Sequence, residues 1–384
     1  MNTFNMCCTF SRFMKRSFFV SLVAALLTPT LRAETPSLYG VVDTGIEFVN
    51  HVASAGGGVT RMPTNTGLTP SRLGIRGNEE LGSSLEALYN LEMGFGPDTG
   101  SSAQGGRLFG RQSFVGLGSE WGTITVGRQW TMLFWALLDA DIVGPAIYGT
   151  GSLDSYLPNA RVDNSVAYQG KFRQYTVGAT YSLGRDTVNA GPSPAGTNCP
   201  GESGVDPQAC REWSLMVKYD TPTWGAALAY DTMNGRTPVA AFDMVFAGLT
   251  ASSKSDTRLV IDAYARIDRW KVSGGIIHRH NDGNATHAES DLCFVAASYP
   301  VSSALTIEGT LASLNFQQTN NANARLLTVR MIKELSKGTR IYAQLGIIQN
   351  ESQSGLSVSG GGPTSAPSLS DSQVGTMIGI SQLF

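Results

Sequence analysis

The chain has 384 residues, with 28 basic against 30 acidic side chains and charged residues at only 15% of the total, where about a quarter is usual for a soluble domain. Mean hydropathy is near zero and no uninterrupted apolar run of 18 residues occurs, which excludes a helical membrane bundle. The slight acidity, without a basic aromatic stripe, excludes nucleic acid as a partner. Low charge, 44 glycines and few helix formers point to an all-β chain, as one large barrel or two ordinary domains.

Residues 1–33 read as a secretory signal peptide. Lys15 and Arg16 form a basic start, the run from Phe18 to Leu27 an apolar middle too short to anchor in a membrane, and Leu31-Arg32-Ala33 a cleavage site. Met14 opens a complete signal of its own, so two start positions fit. Loss of Arg12, Lys15, Arg16 and Arg32 with this leader takes the basic count from 28 to 24, a net charge of −6 for residues 34–384. These form one domain.

From Leu38 onward the chain repeats one design, apolar and polar residues alternating with period two. In TRLVIDAYARID, Leu259, Ile261, Ala263, Ala265 and Ile267 share one face, and Arg258, Asp262, Tyr264 and Arg266 the other. RIYAQLGII and SALTIEGTLAS divide in the same way. A soluble sandwich alternates too. Two features favour a membrane barrel instead: strands of about ten residues, the span a tilted membrane strand needs, and aromatics at strand ends on the apolar face. Trp213 with Tyr219 and Trp224 with Tyr230 show that placement, which is the mark of interfacial girdles.

Connections alternate between short turns and long loops, as in outer-membrane barrels. The long ones span 50–66, 96–106, 184–211, 232–255 and 350–370. Counting strands between connections predicts sixteen, starting near Leu38, Thr69, Ser84, Arg107, Gly122, Val162, Phe172, Glu212, Thr223, Thr257, Arg269, Asp291, Ser303, Arg325, Thr339 and Ser372. The predicted fold is an all-β, sixteen-stranded antiparallel transmembrane β-barrel. Such a barrel encloses an aqueous lumen rather than a packed core.

One stretch breaks the alternation. Between Trp130 and Arg161 the chain holds a short apolar run, then Asp139 and Asp141, then Gly and Pro, with Arg128 and Arg161 at its borders. Its length points to a functional loop, folded into the barrel against a basic wall. Met132, Leu133, Phe134, Trp135, Leu137 and Leu138 are expected to pack it there as a short helix. Further on, Cys199 and Cys210 flank NCPGESGVDPQAC, a spacing that suits a disulfide in an exported protein. Cys293 is left over. His278 and His280 share a strand face without a third metal ligand, and no phosphate loop, nucleophile elbow or zinc-binding helix occurs. The chain therefore reads as a non-enzyme with neither metal nor cofactor. An outer-membrane protease would need fewer strands and longer walls.

SLYGVVDTGIEF, SRLGIRGNEELGSSLEALYNLEMGF, GRLFGRQSFVGLGSEWGTITVGRQ, the NSVAY strand and the terminal Phe384 resemble the general diffusion porins of Gram-negative bacteria, in the Burkholderia–Bordetella–Neisseria manner. The resemblance implies a homotrimer in outer-membrane lipid that passes small hydrophilic solutes and ions, its third long loop forming the constriction. It also implies recognition of Phe384 by the barrel assembly machinery. The family's basic cluster falls on Arg72, Arg111 and Arg161; period two adds Arg76 and Arg128. The acidic side matches at Asp141, with Asp139 two residues away, while Pro145 stands where a second acid is often found.

Those five arginines against two acids predict a positive neck. Local charge decides ion preference because the Debye length is about 8 Å at physiological salt, so weak anion selectivity is expected despite the negative chain. Two alternatives stand beside it. One is a substrate-selective porin for a carboxylate or sugar, using Trp130, Trp135 and Tyr148. The other is a surface-interaction barrel with a plugged lumen. Small outward residues on the first strand, Gly40, Val42, Thr44 and Ile46, suit a protein neighbour and hence the trimer.

Overall fold

The computed structural model describes residues 35–64, 67–185, 199, 201–237, 248–360 and 365–384; the expected leader lies outside them. Sixteen long strands close into a barrel. They are β1 (Ser37–Val52), β3 (Arg72–Gly82), β4 (Leu85–Gly94), β5 (Gln112–Ser119), β6 (Gly122–Trp130), β7 (Arg161–Phe172), β8 (Tyr175–Gly184), β9 (Glu212–Asp220), β10 (Trp224–Asn234), β11 (Ser255–Ile267), β12 (Trp270–Asn281), β13 (Glu289–Pro300), β14 (Leu305–Phe316), β15 (Ala324–Glu334), β16 (Thr339–Asn350) and β17 (Gln373–Leu383). A short strand, β2 (Gly57–Arg61), folds back on the upper half of β1 with Glu47 opposite Arg61.

Neighbours in sequence pair antiparallel all the way round. β1 closes the circle, pairing with β3 from Ser37↔Arg76 to Val41↔Arg72 and with β17 from Val41↔Leu383 to Val49↔Gly375. At the end of this seam Gly40 and Phe384 exchange backbone hydrogen bonds of 2.9 and 3.2 Å. Gly40 is required there, since a Cβ would stand 2.4 Å from the Phe384 ring. The expected strand starts agree with the structure to a few residues. The largest departure is β5, which begins at Gln112 rather than Arg107. Gly105 and Gly106, both at positive φ, turn the chain just before, and Arg107 is drawn off to Asp163.

The faces divide as the alternation dictates. On β11, Leu259, Ile261 and Ile267 are exposed on the outside, while Arg258 and Asp262 are buried inside. Outward aromatics ring one sector: Tyr175 meets Tyr219, Trp213 meets Tyr230, Tyr219 meets Trp224 and Trp270 meets Tyr299, with centroids 4.6–5.1 Å apart. Among the described residues, the outward positions of β15, β16, β17, β1 and β3 carry no Tyr or Trp.

The buried apolar cluster lies inside the barrel. Met132, Leu133, Ala136, Leu137, Ile147 and Tyr148 of the long loop after β6 pack on inward residues of β9–β17, among them Met216, Val260, Leu292, Phe294, Leu326 and Met377. A helix, α1 (Met132–Leu137), carries the first part of that contact. In the connection between β8 and β9, Cys199 and Cys210 are joined, their Cα atoms 5.4 Å apart; Cys293 on β13 is free.

The disulfide closes a small ring worth about 2–3 kcal/mol on the chain-entropy model, outside the membrane strands. The double substitution Cys199→Ser/Cys210→Ser should leave heat-modifiable barrel folding in gels unchanged and raise protease cleavage in that loop. Thiol alkylation of the unreduced wild-type protein at both positions would contradict the bond.

Candidate pore constriction

The inserted loop, residues 131–160, begins and ends at one neck. Trp130 pairs with Arg161, and Thr131 N–H donates to the Ala160 carbonyl at 2.9 Å. A loop inside a barrel must still satisfy its backbone groups, and wall side chains do this in turn. Ser214 of β9 accepts from Met132 N–H at 2.9 Å. Lys218 of β9 donates to the Trp135 carbonyl at 3.4 Å, and Ser273 of β12 to that of Ala140 at 2.6 Å. Arg330 of β15 reaches the carbonyls of Ile142 and Val143, both at 2.9 Å. Thr328 holds that of Tyr148 at 2.5 Å. The Tyr148 ring lies over Gly346 and Gly375, where a Cβ would come within 2.7 and 2.6 Å of it; these glycines are direct partners on β16 and β17.

On its return the loop is fastened by ion pairs. Arg258 takes Asp154 through two hydrogen bonds of 2.7 and 3.1 Å, and Asp256 at 2.9 Å. Tyr156 donates to Glu212 or Asp231, at 2.6 and 3.0 Å. Arg258 is fully buried, so removing one partner costs about 3–5 kcal/mol, far more than an exposed pair.

The basic residues converge on the opposite side, from β3, β6, β7 and the end of the loop before β5. Glu92 of β4 sits at their centre. Its Oε1 accepts from Arg111 Nε at 2.7 Å, and its Oε2 lies 3.5 Å from Arg72 Nε and 3.0 Å from Tyr39 Oη, whose proton it shares as an alternative with Asn90 Oδ1 at 2.8 Å. Asp163 of β7 takes Arg107 through two bonds of 2.7 and 2.8 Å and Arg128 at 2.6 Å. Arg161 has a different arrangement: its guanidinium lies 3.5 Å from the Trp130 ring centre, while Phe134 stacks on Trp130 at 3.7 Å and 11°. Two planar groups that close to one centroid must occupy opposite faces. Arg161 Nε and Nη1 are buried without a hydrogen-bond partner among the described residues. Arg76 is exposed, 5.1 Å from the Tyr39 ring centre.

The structure thus gathers Arg72, Arg76, Arg111, Arg128 and Arg161 on one wall, but does not bring the loop acids to face them. Asp139 pairs with Lys218 of β9. Asp141 turns back on its own loop, accepting from Gly144 N–H at 3.1 Å and Thr150 Oγ1 at 2.7 Å. Burial raises its pKa above the ordinary carboxylate value, against the pull of those hydrogen bonds. The counter-charges are instead Glu92 and Asp163, from the arginines' own wall. Sequence reasoning missed both, although period two in LEALYNLEMG and RVDNSVAY puts each carboxylate on the lumen face. The side of the loop turned to the passage is mostly apolar, with Leu138 half-exposed and Phe134, Ile142 and Pro145 partly so, and with the Asp139 side chain, 37% exposed, held by Lys218. His278 and His280 face outward, against Asp291 at 2.8 Å and Glu289 at 3.3 Å.

Residues 20–353 match the family described as Gram-negative porin. The chain is 28% identical over 369 residues to an outer membrane porin protein of Bordetella pertussis, covering 86% of this chain and 93% of that one. In fold it is similar to an anion-selective porin from Comamonas acidovorans, with a TM-score of 0.71 at 21% identity over 91% of this chain and 99% of the other. A trimer form of an outer membrane protein of Vibrio cholerae matches at a TM-score of 0.62 and 14% identity, over 91% and 99%.

Glu92 and Asp141 should therefore behave differently on neutralisation. Glu92→Gln frees two arginines from a shared counter-charge, and reversal potentials in a KCl gradient should move clearly towards anions. Asp141→Asn should shift them little and instead make the channel noisier, because the carboxylate braces the loop. A larger selectivity shift from Asp141→Asn than from Glu92→Gln would overturn this assignment.

Proposed function

The chain belongs to the Gram-negative porin family, and from that premise we propose that its lumen conducts with a weak preference for anions. The protein is an outer-membrane channel for passive diffusion, not an enzyme. The observation that carries the anion preference is the local count at the neck. Arg72, Arg76, Arg107, Arg111, Arg128 and Arg161 are set against Glu92 and Asp163, with no loop carboxylate added to the acidic side. Two unit charges 4 Å apart interact by about 1 kcal/mol in water and about 4 kcal/mol at an effective dielectric of 20, so a surplus of arginines in a narrow passage outweighs remote rim acids screened beyond about 8 Å. The same local Coulomb rule governs charged rings in other pores. Wild-type reversal potentials should show anion preference, strongest at low salt. Arg111→Ser/Arg161→Ser should move them towards cations and raise conductance. Cation preference in the wild type, or no change in the double variant, would refute the reading.

The assembly we propose is a homotrimer, seated on the sector that lacks outward Tyr and Trp. A girdle residue serves a lipid interface; β15, β16, β17, β1 and β3 offer exposed Val42, Ile46, Val329, Met331 and Ile378 instead. The trimer form in a protein of similar fold supports the same number. Removal of residues 1–33 and presentation of Phe384, 56% exposed, to the assembly machinery complete the proposal. A three-fold band should run in unheated gels, with native mass giving subunits that begin at Glu34. Phe384→Ala should slow its appearance. A monomer in mild detergent would sink the trimer.

A further inference from the structure

We propose that the lumen on the basic side of the loop contains a binding subsite for small organic anions with an apolar ring, an aryl monocarboxylate being the simplest. This rests on the anion-preferring reading and adds a substrate class to it. The subsite is a chamber of ≈ 510 Å³ between the β3–β7 wall and α1, lined in part by Arg72, Arg76, Asn90, Phe114, Trp130 and Trp135.

Its order follows from strand register. Arg76 on β3 lies directly opposite Asn90 on β4, and Asn90 directly opposite Phe114 on β5. All three point inward, because the neighbours Ile75 and Val115 are exposed on the outside. Direct partners stand about 5 Å apart, so a cation, an amide and a phenyl ring follow one another over about 10 Å. A carboxylate carrying one aromatic ring spans that row.

Each member has capacity to spare. Arg76 is exposed, with no carboxylate within ion-pair distance among the described residues. Tyr39 Oη has one proton for Asn90 Oδ1 or Glu92 Oε2, at 2.8 and 3.0 Å, and the Asn90 amide N–H groups are left to donate. Phe114 is half-buried, and Leu88 stands beside it on the same face. Water-facing Phe and Leu have no purpose in a lumen that only selects by charge, since apolar side chains there gain nothing until something covers them. Trp135 closes the far side, edge-on to Phe134 at 5.6 Å. A sugar would want carboxylates as acceptors. The one carboxylate in this lining, Glu92, is engaged by Arg111, Arg72 and Tyr39. Inorganic anions use the arginines alone.

The test uses the full-length channel in planar bilayers, with potassium benzoate, potassium acetate or benzyl alcohol added to KCl. Benzoate should reduce the chloride current at a concentration about tenfold below that for acetate, the gain from covering part of one ring. Benzyl alcohol should not block. Phe114→Ser should abolish the difference between benzoate and acetate, and Arg76→Gln should weaken block by both. Equal block by benzoate and acetate in the wild type, with anion preference in KCl intact, would overturn the subsite and leave the selectivity reading standing. Cation preference in KCl would overturn both. The wild-type comparison decides the matter even if F114S does not assemble.

Discussion

A backbone amide left unpaired in hydrocarbon costs several kcal/mol, and this constraint dictates most of what the chain does. It forces the first and last strands together, so that β1 is shared between β3 at one end and β17 at the other. It turns the polar faces of all the strands inward, since the outside must be apolar. It also transfers the problem to the inserted loop, whose irregular backbone is tolerated at membrane depth only because it lies inside protein. Lys218, Ser273, Thr328 and Arg330 are the answer to that problem. They occupy inward positions of β9, β12 and β15, beside the apolar seat formed by Met216, Ile277 and Leu326.

The lumen is consequently of two kinds. From β9 to β17 the inner wall is a seat for the loop, with Met216, Val260, Leu292 and Leu326 under its apolar run. The paired glycines 346 and 375 let the loop tip approach the far wall as closely as an aromatic ring allows. From β3 to β7 the inner wall keeps its charges and amides and stays available to solutes. The loop narrows the barrel by filling one half of it, and the selectivity we propose belongs to the other.

Much of this could be read from the residues. Strand number, the direction of the faces in TRLVIDAYARID and the cysteine-closed loop follow from period two, turn spacing and export. The arginine wall was visible through the family resemblance and the alternation. The acids were not, because the expectation placed them on the loop. Asp139 and Asp141 are the only carboxylates in its first half, yet a loop inside a barrel needs internal braces and partners on its seat before it can present charge to a passage. Lys218, 79 residues further along the chain on β9, decides the fate of Asp139. The apolar seat has a signal in DLCFVAASY, which is apolar on both faces, as a strand between lipid and water would not be.

The placement of the acids changes the physics of the neck. Carboxylates on an opposite wall would set a field across the passage and hold a passing ion between two signs. Glu92 and Asp163 instead lie among the arginines, at hydrogen-bond distance from them. Their fields are short-ranged dipoles along the wall, and the anion preference we propose rests on the surplus of guanidinium charge. Arg161 contributes to that surplus without a carboxylate because the Trp130 face holds it, an attraction worth about 2 kcal/mol when desolvated. The same indole binds Phe134 on its other face. One ring thereby fixes a cation of the basic wall to the first turn of the loop.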